Sequence, residues 1–182
     1  PVDTNDDGMS QNATSVIYQY DVSAIPYNKR PQTYTADLPV FDGTNYLEIP
    51  YTPALNTPEF TASIWVYPTV LNSNYRALVS SREWNTSGSV LTGYFLRIQN
   101  DKKWAFFIGN GTGWEFIKST NLATLNQWTH LVGKYDGTTL FFYVNGIEIG
   151  QKTVSFNVNT RTLSHLTLAT EQVANNSQSL QN

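Results

Sequence analysis

The pattern of apolar and polar positions along the chain is that of short strands separated by turns. From Phe41 onward, apolar and polar residues alternate in short runs, and glycine, asparagine, aspartate or proline stands between most of them. A repeat of about 10 residues with turn signals in between is typical of an all-β sandwich or barrel. The predicted strands are Tyr46–Ile49, Phe60–Tyr67, Arg76–Ser80, Tyr94–Gln99, Lys103–Gly109, Trp114–Lys118, Thr129–Tyr135, Thr139–Val144, Ile147–Thr153 and Leu166–Ala169.

Two tight turns are visible in this pattern. Asn145-Gly146 stands between two alternating apolar runs, and both residues tolerate the positive φ that a type I′ hairpin turn requires. Asp136-Gly137 gives a second turn signal. No helix is predicted beyond a single turn over Leu122–Asn126.

Composition and charge exclude several classes of protein. The chain has 182 residues, of which 40% are hydrophobic, 14% aromatic and 14% charged, with a net charge of -3 and no cysteine. This many aromatic residues with so little charge does not fit a disordered chain. The acidic balance excludes nucleic acid as the main partner, because phosphate binding needs a basic surface. No apolar run is long enough to span a bilayer, so no membrane insertion is expected, and disulfides and thiolate metal sites are excluded.

The chain is predicted to have two parts. Residues 1–37 form an N-terminal extended arm with leading strands at Val16–Tyr20 and Tyr34–Phe41. Residues 38–182 form the sandwich.

Four motifs in the sandwich resemble the laminin G-like domains of the concanavalin A-like lectin/glucanase superfamily. Phe41–Pro50 resembles the opening strand of these domains, and Phe60–Pro68 resembles their F-T-x-S-x-W-V-x-P core strand. Gln127–Gly137 is similar to the W-T-H…Y-D-G motif, and Leu140–Gly146 to the Y-V-N-G hairpin. The resemblance implies a two-sheet antiparallel jelly roll, secreted or at the cell surface, that binds glycans. Such domains close with a last strand after residue 170, and this strand is apparently missing here.

A loop near the C-terminus is similar to the calcium loop of pentraxins, which belong to the same superfamily. Carried over by position, Glu171 and Gln172 match calcium ligands, and Gln178 matches with a gap. Val173 stands where the family has a bridging aspartate, and no aspartate occurs near Glu83–Asn85, where other ligands would lie. The resemblance therefore implies one weak calcium site, assisted by Glu83 and Asn85, in place of the family's two.

Candidate sugar-binding residues are aromatic side chains beside polar groups. Sugar CH groups stack on aromatic faces while hydroxyls bond to amides and charged groups. Trp84 lies in a polar loop with hydrogen-bonding neighbours on both sides, and Trp104 and Trp114 are predicted to form a second platform on adjacent strands. Trp65 and Trp128 stand in core-strand motifs and are expected to pack in the core. The predicted ligand-binding set is Arg82, Glu83, Trp84, Asn85, Trp104 and Trp114.

No constellation of residues favours catalysis. Retaining glycosidases of the superfamily carry paired carboxylates about 5 Å apart on one strand, and no such strand is found in the sequence, where Glu48 stands alone. The predicted function is a non-catalytic, lectin-like module that binds a glycan or polysaccharide, with calcium as its cofactor. One alternative is a structural subunit of a surface layer, fibre or virion, completed by the arm or a neighbouring chain. Another is an accessory domain of a polysaccharide-degrading enzyme.

Overall fold

The computed structural model describes residues 39–43, 45–82, 91–155, 158 and 165–170. Within these residues the chain forms strands and a single 3-10 turn over Pro53–Leu55, which Thr52 caps by accepting from the Ala54 N–H. The strands are β1 Leu47–Ile49, β2 Phe60–Val66, β3 Arg76–Ser80, β4 Leu91–Ile98, β5 Lys103–Gly111, β6 Trp114–Leu122, β7 Thr129–Tyr135, β8 Thr139–Val144, β9 Ile147–Thr153 and β10 Leu166–Leu168.

The strands form two antiparallel sheets. A 6-stranded sheet has the order β1-β10-β3-β4-β5-β6, and a 4-stranded sheet has the order β2-β7-β8-β9. All the predicted strands from Tyr46 onward are present, which confirms the all-β, two-sheet sandwich. The single helical turn predicted over Leu122–Asn126 is wrong, because β6 continues to Leu122 and a hydrogen-bonded turn follows it.

The inner faces of the two sheets form one hydrophobic core. Phe106 of β5 and Phe142 of β8 are fully buried, and their ring centroids lie 6.4 Å apart across the sheets. Gly133 of β7 leaves room for this contact, because a Cβ built there would lie 2.6 Å from the Phe106 ring. Gly133 therefore allows the main chain of β7 to lie directly against the Phe106 ring.

The two predicted turns are present. Asn145 and Gly146 have φ values of 53° and 79° between β8 and β9, as a type I′ turn requires. Asn145 also fixes the hairpin to β7, because its main-chain N–H donates to the His130 carbonyl at 2.7 Å and its Oδ1 accepts from the His130 N–H at 2.9 Å. In the other turn, Asp136 Oδ1 accepts from the Thr139 N–H at 2.7 Å.

Several sequence-based predictions fall on parts of the chain beyond the described ranges. The predicted arm over residues 1–37 lies outside them, and so does the segment after residue 170, which was predicted to lack the family's last strand. These predictions stay predictions. In the part of the chain that the structure describes, no helix has the length and apolar character needed to cross a membrane.

Candidate functional site

A row of phenylalanines crosses the outer face of the larger sheet. Phe95 of β4, Phe107 of β5 and Phe116 of β6 are register partners. Their rings stack with centroids 4.5 Å and 4.8 Å apart. Because side chains alternate along a strand, the residues that follow or precede them point to the inner core. Phe95 is only 2% exposed although it faces away from the other sheet, whereas Phe116 at the sheet edge is 45% exposed.

Two arginines lie over these rings. The Arg82 guanidinium carbon is 5.6 Å from the Phe95 centroid and 5.4 Å from that of Trp114. The Arg97 guanidinium carbon is 4.3 Å from the Tyr75 centroid and 4.8 Å from that of Phe95. Distances of this size are those of cation–π contacts. Both arginines make further contacts beyond these stacks. We call this surface the arginine–aromatic face; its residues are Tyr75, Arg82, Phe95, Arg97, Phe107, Trp114 and Phe116.

Trp114 lies on this face because a glycine makes room for it. A Cβ built on Gly109 would lie 2.6 Å from Cζ3 of the indole. The indole packs edge-on against Phe95 at 4.9 Å and remains partly exposed. The β5–β6 turn that carries it is closed by Asn110, whose Oδ1 accepts from the Gly113 N–H at 2.8 Å. The indole is therefore held by packing against Gly109 and Phe95 while part of its surface stays exposed.

Buried hydroxyl groups fix the main chain that leads to Arg82. The Arg82 N–H donates to Ser80 Oγ at 3.1 Å, and the Tyr94 N–H donates to Ser81 Oγ at 3.1 Å. Gly93 has a φ of 81°, and a Cβ built there would lie 2.3 Å from the Ser81 carbonyl oxygen, so only glycine fits. Burial of Tyr94 raises the pKa of its phenol to about 12.

The structure brings together some of the predicted site residues and separates others. Arg82 and Trp114 meet on the arginine–aromatic face. Trp104 is 3% exposed and packs in the core between the sheets, so the platform predicted for Trp104 and Trp114 is wrong: the two indoles lie on opposite faces of one sheet. Glu83, Trp84 and Asn85 lie outside the described residues, directly after Arg82.

A laminin G family of the concanavalin A-like lectin/glucanases superfamily matches this chain over residues 41–181. This match spans well over half of the chain. The chain belongs to the laminin G family. No curated protein sequence matches it.

Solved structures give the same fold. The CBM40 module of a Ruminococcus gnavus sialidase, bound to α2,3-sialyllactose, is similar with a TM-score of 0.58 and 14% identity, over 68% of this chain and 70% of that one. Domain 4 of a Geobacillus stearothermophilus arabinanase, in complex with arabinotriose, has a TM-score of 0.54 and 19% identity, over 71% and 59%. Domains LG4-5 of the mouse laminin α1 chain have a TM-score of 0.54 and 15% identity, over 75% and 35%.

The predicted calcium ligands of this laminin G domain, Glu171, Gln172 and Gln178, lie outside the described residues. The last described residues before them are joined to β3, because the Ala169 main-chain N–H donates to the Leu78 carbonyl at 3.1 Å. Among the described residues no group of three or more metal-ligating side chains is found.

Two tryptophans of this laminin G domain that were expected in the core lie elsewhere. Trp65 stacks on His130 at 4.7 Å on the outer face of the smaller sheet. Trp128, just before the first residue of β7, packs against Tyr67 at 5.5 Å. Neither belongs to the core between the sheets.

Sequence reasoning missed Arg97 and the phenylalanine row. The signal that was available is the nearly continuous apolar run of β5, Trp104 to Ile108, because a strand that is apolar on both sides has both faces covered.

Proposed function

We propose that this laminin G domain is a non-catalytic carbohydrate-binding module that works outside the cell or at its surface. The observation that carries the proposal is the indole of Trp114, partly exposed on a sheet face beside the guanidinium of Arg82, which directly precedes Glu83, Trp84 and Asn85 in the sequence. Similarity to modules solved with sialyllactose and with arabinotriose supports a glycan as the partner.

The face offers the two kinds of contact that sugars use. Trp114 and Phe116 present apolar ring surface to sugar CH groups. Arg82 is 8% exposed, and in the proposal its guanidinium donates to hydroxyl or carboxylate oxygens from beneath the ligand. In the proposal, Glu83, Trp84 and Asn85 complete the site from the adjoining loop. Stacking on rings holds the guanidinium in place before the ligand arrives, which reduces the entropy lost on binding.

The two carboxylates in the described strands of the larger sheet support binding over hydrolysis. Glu48 of β1 pairs with His165, and Glu115 of β6 pairs with Lys152 across the two sheets. A retaining glycosidase needs two carboxyl groups about 5 Å apart around one bond, whereas these two belong to strands at opposite edges of the larger sheet.

Calcium is part of the proposal through Glu171, Gln172 and Gln178. Their likeness to the pentraxin loop supports one calcium ion held by oxygen ligands. Binding that is lost in EDTA and restored by Ca²⁺, together with loss in Glu171→Gln, is the expected result. Binding that ignores EDTA contradicts the calcium part and leaves the aromatic site in place.

A glycan array with the purified chain tests the function directly. We expect selective binding that falls at least about tenfold in Trp114→Ala and in Trp84→Ala, since a lost ring contact of about 1.4 kcal/mol corresponds to tenfold. Tyr46→Ala is the matched control, because Tyr46 is an exposed aromatic beside β1, at the opposite edge of the sheet from β6.

If a folded sample binds no glycan on the array, the proposed binding function is contradicted. Association of the chain at micromolar concentration in the same sample would then support the assembly alternative. Release of reducing ends from a polysaccharide would contradict the non-catalytic part of the proposal.

A further inference from the structure

A second exposed aromatic surface lies at one end of the sandwich. Tyr67, just after β2, is 45% exposed, and its ring packs on that of Trp128 with centroids 5.5 Å apart and planes inclined by 57°. Val70 and Leu125 add exposed apolar side chains in the same two segments. The segments are joined by the Asn126 N–H, which donates to the Pro68 carbonyl at 2.8 Å. We call residues 67–74 and 122–128 the uncharged end.

This surface differs in chemistry from the arginine–aromatic face. Neither segment contains an acidic or basic residue, and both are rich in amides and hydroxyls. Asn126 and Gln127 are exposed beside the Trp128 ring, and Asn126 has a φ of 55°. Lys102 of the neighbouring turn joins the uncharged end through its main chain, where its carbonyl accepts from the Ala123 N–H at 2.8 Å. Aromatic rings with amide side chains beside them suit an uncharged ligand that has both CH groups and hydroxyl groups.

Trp114 and Trp128 lie toward opposite ends of the sandwich. Trp128 precedes the first residue of β7, and Tyr135 is its last. Tyr135 pairs with Phe60, whose ring stacks on Tyr94 at 4.1 Å, near the end of the sheet that carries Trp114. Since a strand rises about 3.3 Å per residue, the 7 residues of β7 separate the two tryptophans by roughly 20 Å along the strands. The arginine–aromatic face extends from Trp114 to Tyr75, which follows the last residue of the segment 67–74.

We propose that the uncharged end is a second glycan-binding site, which takes a neutral sugar ring on Tyr67 and Trp128. The site rests on its own residues and goes beyond the function proposed above. Two sites on one module let a single polysaccharide engage both ends, or let the module join two chains, and the second contact gains from a high effective concentration.

Titration calorimetry with uncharged oligosaccharides tests the second site. The probes are hexasaccharides of glucose, xylose, mannose and arabinose, titrated into the full chain and into Trp114→Ala. We expect one of them to bind Trp114→Ala as it binds the unchanged chain, and about tenfold more weakly or not at all when Tyr67→Ala is added. Ile147→Ala is the control, because Ile147 is exposed on the β8–β9 hairpin and is not part of the uncharged end.

Tyr67→Ala keeps the test interpretable, since this side chain is largely exposed and the variant should fold. Trp128→Phe, which keeps an aromatic ring, should weaken the same ligand less than Tyr67→Ala does. Failure of every neutral probe to bind Trp114→Ala overturns the second site, as does binding that Tyr67→Ala leaves unchanged. Binding to phosphatidylcholine vesicles that Tyr67→Ala abolishes, without sugar binding, assigns the surface to lipid and also overturns it. Neither result bears on Trp114, whose own variant reports on the first site.

Discussion

Trp104 and Trp114 lie on neighbouring strands of one sheet and have opposite environments. The Trp104 indole is buried between the sheets, and the main-chain N–H of Trp104 donates to Ser119 Oγ at 3.1 Å. The Trp114 indole lies on the outer face, over Gly109 and beside the Arg82 guanidinium. The residue type is the same, so the role depends on which face of the sheet the side chain lies on. On the inner face the indole stabilises the fold. On the outer face it packs beside the positively charged Arg82 guanidinium.

The largest expected effect separates these two tryptophans. Trp104→Ala leaves a cavity in the core and should lower the free energy of unfolding by about 3–5 kcal/mol. Trp114→Ala should cost clearly less, because its indole is partly exposed, while it removes glycan binding. Urea unfolding of both variants measures the difference. Equal decreases in the free energy of unfolding in Trp104→Ala and Trp114→Ala would contradict the difference in role between the two faces.

A second test concerns the closeness of the sheets. In Gly133→Ala the new Cβ would lie 2.6 Å from the Phe106 ring, and such overpacking should cost about 1–3 kcal/mol. Gly150→Ala is the matched control on the same sheet, because its Cβ would lie an ordinary 3.5 Å from Ile117 Cγ2. Thermal unfolding should rank Gly133→Ala well below Gly150→Ala. The reverse order would mean that the Phe106 ring can move aside to accept the added methyl group.

On the outer face the expected effect is smaller. Arg97→Gln removes a guanidinium that lies over Tyr75, Phe95 and Phe107, and should cost about 1 kcal/mol. Lys134→Gln provides the comparison, since the exposed Lys134 ammonium lies 5.2 Å from a single ring, that of Phe141. Denaturant titrations of both variants give the ranking. If Lys134→Gln lowers the free energy of unfolding as much as Arg97→Gln does, the several rings beneath Arg97 add no stability beyond that of a single cation–π contact.

The smallest expected effect lies in a turn that belongs to neither face. Main-chain N–H groups of Thr139 and Thr138 hold the pKa of Asp136 below its usual range. A depressed pKa contributes stability above the unfolded value of about 4, and this contribution is lost as the pH falls through the folded value. In Asp136→Asn, the melting temperature should therefore depend less on pH below about 4. An unchanged acid profile would show that the carboxylate adds nothing to the turn.

Much of the fold could be predicted from the sequence, because it depends on local patterns. The alternation of apolar residues located the strands, and Asn145-Gly146 located a hairpin whose turn needs positive φ. The laminin G family could be named from four motifs in order. None of this required knowledge of which strands neighbour one another.

The candidate site was less accessible to sequence reasoning, because it depends on which way each strand faces. β5 is apolar on both sides, so alternation could not assign Trp104 to the core. Trp65 and Trp128 occupy motif positions that suggested burial, yet they pack outside the core. Arg97 gains its role from the rings of Tyr75, just before β3, and of Phe95 and Phe107 on β4 and β5. No spacing along the chain shows that these rings lie together. Arg82 was found because it adjoins a polar loop with a tryptophan.

The short strand β1 has a mechanical consequence. Its first residue, Leu47, pairs with the last residue of β10, Leu168, so within the described residues the main chain before β1 and the main chain after β10 lie at the same end of one antiparallel pair. Tension applied between Leu47 and Leu168 would load the hydrogen bonds of this pair one after another, starting from that end, and not all at once. A force between these two points would therefore separate the three residue pairs of β1 and β10 in sequence.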